Sequence, residues 1–229
     1  MSPPPLFVKG KELPILWENS YFTILNKPAG LASHPGPQAR DSVEARLTPL
    51  KRGGPWLVHR LDTDTVGCLL IARRKTALIK AQEAFAKRSV AKIYWAIVQG
   101  VPHQPQGQIT TPLRRVQQGG RWSMETASQH APQAQSAETH WRLLGHNGTF
   151  SWLELTLKSG RTHQARLHCA SIGLPIIGDT LYNPSAKQGP MHLLARSLHL
   201  TLEGETLSAE APPPPAMQAL LQVMTQTSS

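Results

Sequence analysis

The chain is poor in cysteine: Cys68 and Cys169 are the only two in 229 residues, with no Cys-x-x-Cys spacing. Neither a disulfide framework nor a structural zinc site is indicated, and each cysteine sits in an apolar stretch as a small buried hydrophobe. Long hydrophobic runs are missing too. None approaches the ~20 residues a membrane-spanning helix needs. The start, Met1-Ser-Pro-Pro-Pro-Leu6, lacks the basic region and apolar core of a signal peptide. A soluble cytoplasmic protein without a membrane partner is the expectation. No internal repeat is visible. What is present is 40% hydrophobic residues over a length that can bury a substantial core, in one large domain or two small ones.

Acidic residues are also scarce, 14 Asp and Glu against 24 Lys and Arg, for a net charge of +10. The excess is local. Residues 51–121 hold thirteen basic and three acidic side chains, whereas residues 1–50 hold five and four, and residues 122–229 six and seven. A basic excess confined to one region favours a polyanionic partner, most simply nucleic acid, over a merely solvated face.

Within that region lies Trp56-Leu-Val-His-Arg-Leu-Asp-Thr-Asp-Thr-Val-Gly-Cys-Leu-Leu-Ile-Ala72. It reads as strand, loop, strand: Trp56 to Val58 and Gly67 to Ala72 have the length and composition of buried strands, and Asp62-Thr-Asp-Thr65 has turn chemistry. Asp62 then sits at a strand edge. Alone, such an Asp-x-Asp pair would usually be read as capping its loop.

Before this stretch, Ile15 to Glu18 and Tyr21 to Leu25 read as a hairpin across Asn19-Ser20. The prolines and glycines of Asn26 to Pro37 impose an irregular loop. Ser42 to Leu47 reads as a short helix capped by Ser42, and Lys51 to Pro55 breaks the chain. After Ala72, the spacing of Ala77, Leu78, Ala81 and Phe85 predicts an amphipathic helix, and Lys92 to Val98 a strand. Residues 102–132 are rich in Gln, Gly, Ser and Pro, with short strands at Gln108 to Thr110 and Arg121 to Met124. Thr139 to Leu144 and Thr149 to Leu157 read as a hairpin with Leu153, Leu155 and Leu157 on its core face. Gly160 to Gly173 reads as a helix capped by Thr162, Leu193 to Leu202 as a last strand, and Met217 to Met224 as a terminal helix.

Four stretches in order carry a resemblance: Asn26-Lys-Pro-Ala-Gly30, His59-Arg-Leu-Asp62, Lys92-Ile-Tyr94, and Gly160-Arg-Thr-His-Gln-Ala-Arg-Leu-His168 continuing to Gly178-Asp179. Together they resemble the RluA family of RNA pseudouridine synthases, from about Ile15 to about Ala219. The departures are mild: Val66 stands where the family usually has Ser, Ala165 where it has Ile, and Leu194 where a His is common. The resemblance implies an α+β fold built on a mixed, mainly antiparallel sheet with flanking helices. Residues 15–229 would form the catalytic domain and residues 1–14 an N-terminal extension, too short for the small RNA-binding module that some members carry.

The reaction so implied is isomerisation of a uridine in RNA. The N1–C1′ bond breaks, the uracil turns, and C5 bonds to C1′. Neither a cofactor nor a metal is required. By resemblance Asp62 is the catalytic carboxylate, acting as nucleophile on the sugar or as base at C2′. Arg166 is the cation that pairs with it, since an unpaired buried carboxylate would be neutralised. Tyr94 stacks on the target base. Arg60 takes the place of the flipped base, where a phosphate contact is its competing role. His59, Arg161, His163 and Gln164, within the same motifs, are expected at the substrate. The expected partner is a structured stem-loop of ribosomal or transfer RNA, bound by a monomer.

Other readings are weaker. Asp62-Thr-Asp-Thr-Val66 matches the start of haloacid-dehalogenase-type phosphatases, but Asp179 is the only aspartate downstream of Asp64, and His59 and Arg60 interrupt the leading strand. His163 and His168, five apart, would point roughly 140° from each other on a helix, unlike the i, i+4 pair of a zinc protease. His163 then reads as a helix-start hydrogen-bonding residue. An RNA-binding module without activity leaves Asp62, Tyr94 and Arg166 unexplained. Asn147-Gly-Thr149 matches a glycosylation acceptor, without meaning in a cytoplasmic protein.

Overall fold

A computed structural model describes residues 5–36, 41–51, 53–118, 121–186 and 188–226. Pro37 and Arg52, part of two loops read from sequence, lie outside them. The chain divides into two compact units, residues 1–91 with 195–212, and residues 92–194 with 213–229.

In the first unit, β1 (Ile15–Glu18) and β2 (Phe22–Lys27) form the expected hairpin. The Asn19 carboxamide oxygen closes it, accepting from the amides of Tyr21 and Phe22 as an Asx turn does. Next comes α1 (Val43–Arg46), with Ser42 Oγ accepting from the Ala45 amide as its N-cap. The strands β3 (Trp56–Leu57) and β2 flank β4 (Val66–Ala72), both antiparallel to it. All seven residues of β4 are buried, which is why its sequence is continuously apolar rather than alternating. The amphipathic helix α2 (Lys75–Ala86) lays Ala77, Leu78, Ala81 and Ala84 inward. The far side of β4 neighbours β11 (Leu193–Leu202), whose residues from Ala195 onward belong here, and β11 pairs with β12 (Glu205–Glu210). Among the described residues of the extension, Leu6 and Phe7 are buried, and the Val8 amide donates to the Arg46 carbonyl.

The second unit starts at β5 (Ala91–Gln99), all but its first residue belonging here. After it come β6 (Gln106–Ile109), the hairpin β7 (Leu113–Gln118) and β8 (Arg121–Thr126), then β9 (Thr139–His146) and β10 (Phe150–Leu157). The sheet order is β5, β10, β9, with β6 and β13 (Thr225–Gln226) also on β9, and all of these pairs are antiparallel. Leu153, Leu155 and Leu157 face a core closed by Ala96, Val98, Ala165, Cys169 and Ile176, with Tyr94 packed on its margin. The helices are α3 (Gln164–Ser171) and α4 (Pro215–Gln222). The α+β class with mainly antiparallel pairing is as the resemblance implies.

β7 and β12 carry no clear strand signal in the sequence, and α3 starts one residue later than a Thr162 cap would place it. Its N-cap is His163, in the left-handed region at φ 56°, without a side-chain cap bond. Gln164 explains the shift: its Oε1 accepts from the Arg161 amide, holding the incoming chain from inside the helix.

Candidate active site

The loop bearing Asp62 is held from three directions. The Val58 amide still donates to the Leu70 carbonyl, continuing the β3–β4 ladder, but the Leu70 amide donates to His59 Nε2 at 3.0 Å. The imidazole substitutes for strand backbone, fixing where the chain leaves the sheet. His59 also stacks on Phe85 of α2, ring centroids 4.9 Å apart. Accepting at Nε2 makes the neutral ring an Nδ1–H tautomer.

One residue before Asp62, Ser33 clamps Leu61 at both main-chain groups. Its Oγ donates to the Leu61 carbonyl at 2.7 Å and accepts from the Leu61 amide at 3.0 Å. One residue after, the Thr63 carbonyl accepts from Lys27 Nζ at 2.9 Å. That ammonium also donates to the carbonyls of Leu31 at 2.7 Å and Pro28 at 2.8 Å, so three carbonyls receive its three protons. Lys27 is fully buried. Burial lowers its pKa to about 8, with Asp64 and then Asp62 opposing that shift. The Thr65 amide closes the turn on the Asp62 carbonyl. Main chain on both sides of Asp62 is thereby fixed, while its own side chain is half-buried and Arg60 and Asp64 are exposed.

In the second unit Arg166, Asp179, Tyr182 and His163 form one cluster. Arg166 donates through Nε and Nη2 to the two carboxylate oxygens of Asp179, both bonds 2.7 Å and both side chains buried. Asp179 Oδ1 also accepts from the amides of Leu181 and Tyr182, which binds the turn to the ion pair. The Arg166 guanidinium lies 5.1 Å from the Tyr182 ring centre, and the Tyr182 hydroxyl is 2.7 Å from His163 Nδ1. Gly178, just before Asp179, has φ +77°, and a Cβ there would meet the Pro190 carbonyl oxygen at 2.1 Å. Only glycine fits that approach.

Gln164, expected at the substrate, is 2% exposed. Its Oε1 accepts from Ser159 Oγ and the Arg161 amide, and its Nε2 donates to the Glu138 carbonyl and Thr139 Oγ1. With the amide spent inside the unit, its surroundings make it a positioning residue. Thr139 passes the chain to His168 Nδ1, and His168 Nε2 donates to the Thr111 carbonyl. Burial holds that imidazole below its usual range, against the Thr111 bond, and both of its nitrogens are engaged. Arg161 is half-buried, its Nε donating to the Ser136 carbonyl. Tyr94 stands in β5 opposite Leu155, half-buried.

Of the residues expected from sequence, the first unit holds His59, Arg60 and Asp62, and the second Tyr94, Arg161, His163, Gln164 and Arg166. Sequence reasoning missed the work of Lys27, Ser33, Asp179 and Tyr182. For Lys27 and Asp179 a signal existed, since both lie in the motifs that carry the resemblance. For Ser33 and Tyr182 none did.

A half-exposed carboxylate thus stands on a loop locked at both sides, in the segment that carries the chain's basic excess. The family described as RNA pseudouridylate synthase matches over residues 21–171. The sequence is 37% identical to an uncharacterized RNA pseudouridine synthase of Synechocystis sp., covering 97% of this chain and 72% of that protein. It is 34% identical to the ribosomal large subunit pseudouridine synthase D of Nitrosomonas europaea, covering 93% of this chain and 65% of that one. A solved structure, human RNA pseudouridylate synthase domain containing 4, aligns with a TM-score of 0.76 at 26% identity over 94% of each chain. The chain belongs to the RluA family of RNA pseudouridine synthases, isomerases acting on uridine in RNA.

Proposed function

We propose that this enzyme flips a uridine out of a structured stem-loop of ribosomal or transfer RNA and isomerises it with Asp62 as the catalytic carboxylate. The observation that carries the reading is the clamp around Asp62, by Ser33 on one side and Lys27 on the other. Such a fixed carboxylate needs little reorganisation at the moment of reaction. Arg166 serves as the cation partner of Asp62 in the reaction, and Asp179 sets its orientation through the bidentate pair. Tyr94 stacks on the uracil as it turns, and Arg60 fills the vacated place in the stack. Arg161 and His163 contact the RNA, whereas His59 and Gln164 hold the scaffold beneath. The enzyme acts as a monomer in the cytoplasm.

The test is Asp62→Asn, which removes the charge and keeps the shape. Pseudouridines mapped in total RNA from cells lacking the gene should reappear on complementation with the wild type and not with the variant. The purified variant should melt as the wild type does and bind the same RNA. Turnover retained by Asp62→Asn would sink the assignment.

A further inference from the structure

The β7–β8 hairpin forms a two-stranded sheet of its own. Its register pairs Arg115 with Met124 and Gln117 with Trp122, so these four side chains share one face. At the inner end of that face Met124 packs on Leu113, Ala137 and Leu167, together with Tyr182. The Tyr182 hydroxyl also donates to the Met124 carbonyl, and the same tyrosine lies against Arg166 and His163. Two residues further out, a step of about 7 Å along the strand, the packing ends. Trp122 is 58% exposed there, with the Arg115 guanidinium 4.1 Å from its ring centre.

An indole left mostly in water forgoes the largest apolar burial any side chain can supply. The guanidinium occupies one face of the ring and orients it, which leaves the opposite face to solvent. On the other side of the hairpin Arg114 is committed to Glu125. A flat, oriented aromatic surface flanked by an exposed Arg115 and an exposed Gln117 has the makeup of a stacking platform for single-stranded nucleic acid.

We propose that Trp122, held by Arg115, is a nucleotide-binding site that stacks one unpaired base of the substrate RNA flanking the uridine to be modified. This rests on the RNA-modifying reading above and adds a subsite to it. The site sits on the same continuous face as Tyr182, so the base it takes is a neighbour of the target in the loop and not the target itself. Stacking tolerates any base, hence the platform contributes affinity and register rather than sequence choice.

The probe is a synthetic stem-loop built around the uridine that the wild type converts in total RNA, with abasic substitution placed in turn at each unpaired flanking nucleotide. Affinity and single-turnover rate at saturating enzyme are measured for the wild type, Trp122→Ala and Trp122→Phe. Trp122→Ala should weaken binding about 5- to 100-fold and leave the saturated rate unchanged, and Trp122→Phe should restore most of the affinity. At one flanking position the abasic RNA should weaken wild-type binding by the same factor and have no further effect on Trp122→Ala. Additive losses at every position, or unaltered affinity in Trp122→Ala, overturn the stacking site. Should Trp122→Ala melt early, the comparison of Trp122→Phe with Trp122→Leu at the same abasic position decides in the same way. If the wild type converts no uridine at all, the enzymatic reading falls and this subsite with it; if conversion is intact and the losses are additive, only the subsite falls.

Discussion

At the scale of single residues, Lys27 joins the sequence to the chemistry most directly. A lysine in a β-strand next to Pro28 reads as surface, yet it is fully buried with all three protons given to carbonyls. As a free amine it has one donor fewer, so deprotonation must release a carbonyl, and Thr63 beside Asp62 is among the three. The pKa lowered to about 8 places that loss between neutral and alkaline pH. The sign for stability is the opposite. The unfolded chain keeps this lysine charged up to its ordinary 10.5, so between about 8 and 10.5 it binds more protons than the folded chain, and folding gains with pH from this group. We therefore expect the single-turnover rate to decline above about pH 8 while thermal melts in that window show no loss traceable to Lys27. Lys27→Met should abolish the alkaline decline, lower the rate at every pH, and cost about 1–3 kcal/mol in urea unfolding for the carbonyls left unsatisfied. An alkaline limb that persists in Lys27→Met would assign it to another group.

At the scale of elements, much was legible because period and composition agreed. Leu153, Leu155 and Leu157 alternate and are buried; β4 is apolar throughout and is covered on both faces; Ser42 caps α1. β7 was missed for a physical reason. Leu113-Arg-Arg-Val-Gln-Gln118 belongs to a hairpin of two strands in which Arg115, Gln117 and Trp122 are exposed, so no apolar alternation marks it. The start of α3 was misplaced because what sets it is the inward reach of Gln164, a tertiary bond invisible in local propensity. The same limit applies to the candidate site. Motifs singled out Asp62, Tyr94 and Arg166 as candidates, but Asp179 as partner of Arg166 and Ser33 as the clamp on Leu61 depend on contacts across long sequence separations. β12 was missed for another reason, since the Glu203-Gly204 pair before it is not among the dipeptides that mark a hairpin turn. Glu203 and Gly204 both have positive φ, 52° and 84°, between strands paired Leu202 to Glu205. That is the two-residue hairpin turn favouring Asn-Gly. Glutamate is strained in the first position, and its bond to Lys80 is exposed and worth little. Glu203→Asn should thus stabilise the protein by up to about 1 kcal/mol, raising Tm by roughly 2–4 °C in calorimetry. An unchanged or lower Tm would show that the Lys80 pair outweighs the backbone gain.

At the scale of the whole molecule, the distribution of charge matters more than its total. The net +10 is the sum of one strongly basic stretch, residues 51–121, and two nearly balanced ones. That stretch contains the Asp62 loop, the start of α2 and the β7 strand. If its charge exists to hold RNA phosphates, binding must release counterions in proportion to the phosphates neutralised, and affinity must fall linearly with salt on logarithmic axes. A solvated face would give no such dependence on which lysine or arginine is removed. Arg60 and Arg74 are both exposed within the basic stretch, and Lys158 is exposed outside it. Titrating the substrate stem-loop at several salt concentrations should therefore give a steep negative slope for the wild type. Arg60→Ser and Arg74→Ser should each reduce its magnitude by about 0.7–0.9 for every phosphate the missing guanidinium had neutralised. Lys158→Ser should leave it as it was. Arg60 allows a finer distinction, because replacing a flipped base and touching a phosphate have different signatures. If it fills the stack, Arg60→Ser slows conversion of the stem-loop far more than that of an unpaired oligonucleotide with the same target sequence, since unpairing is then no longer offset. Equal losses on both RNAs with a shallower slope would leave Arg60 a phosphate-binding residue, and equal slope changes from Lys158→Ser would show that the charge acts through the molecule's total rather than through this stretch.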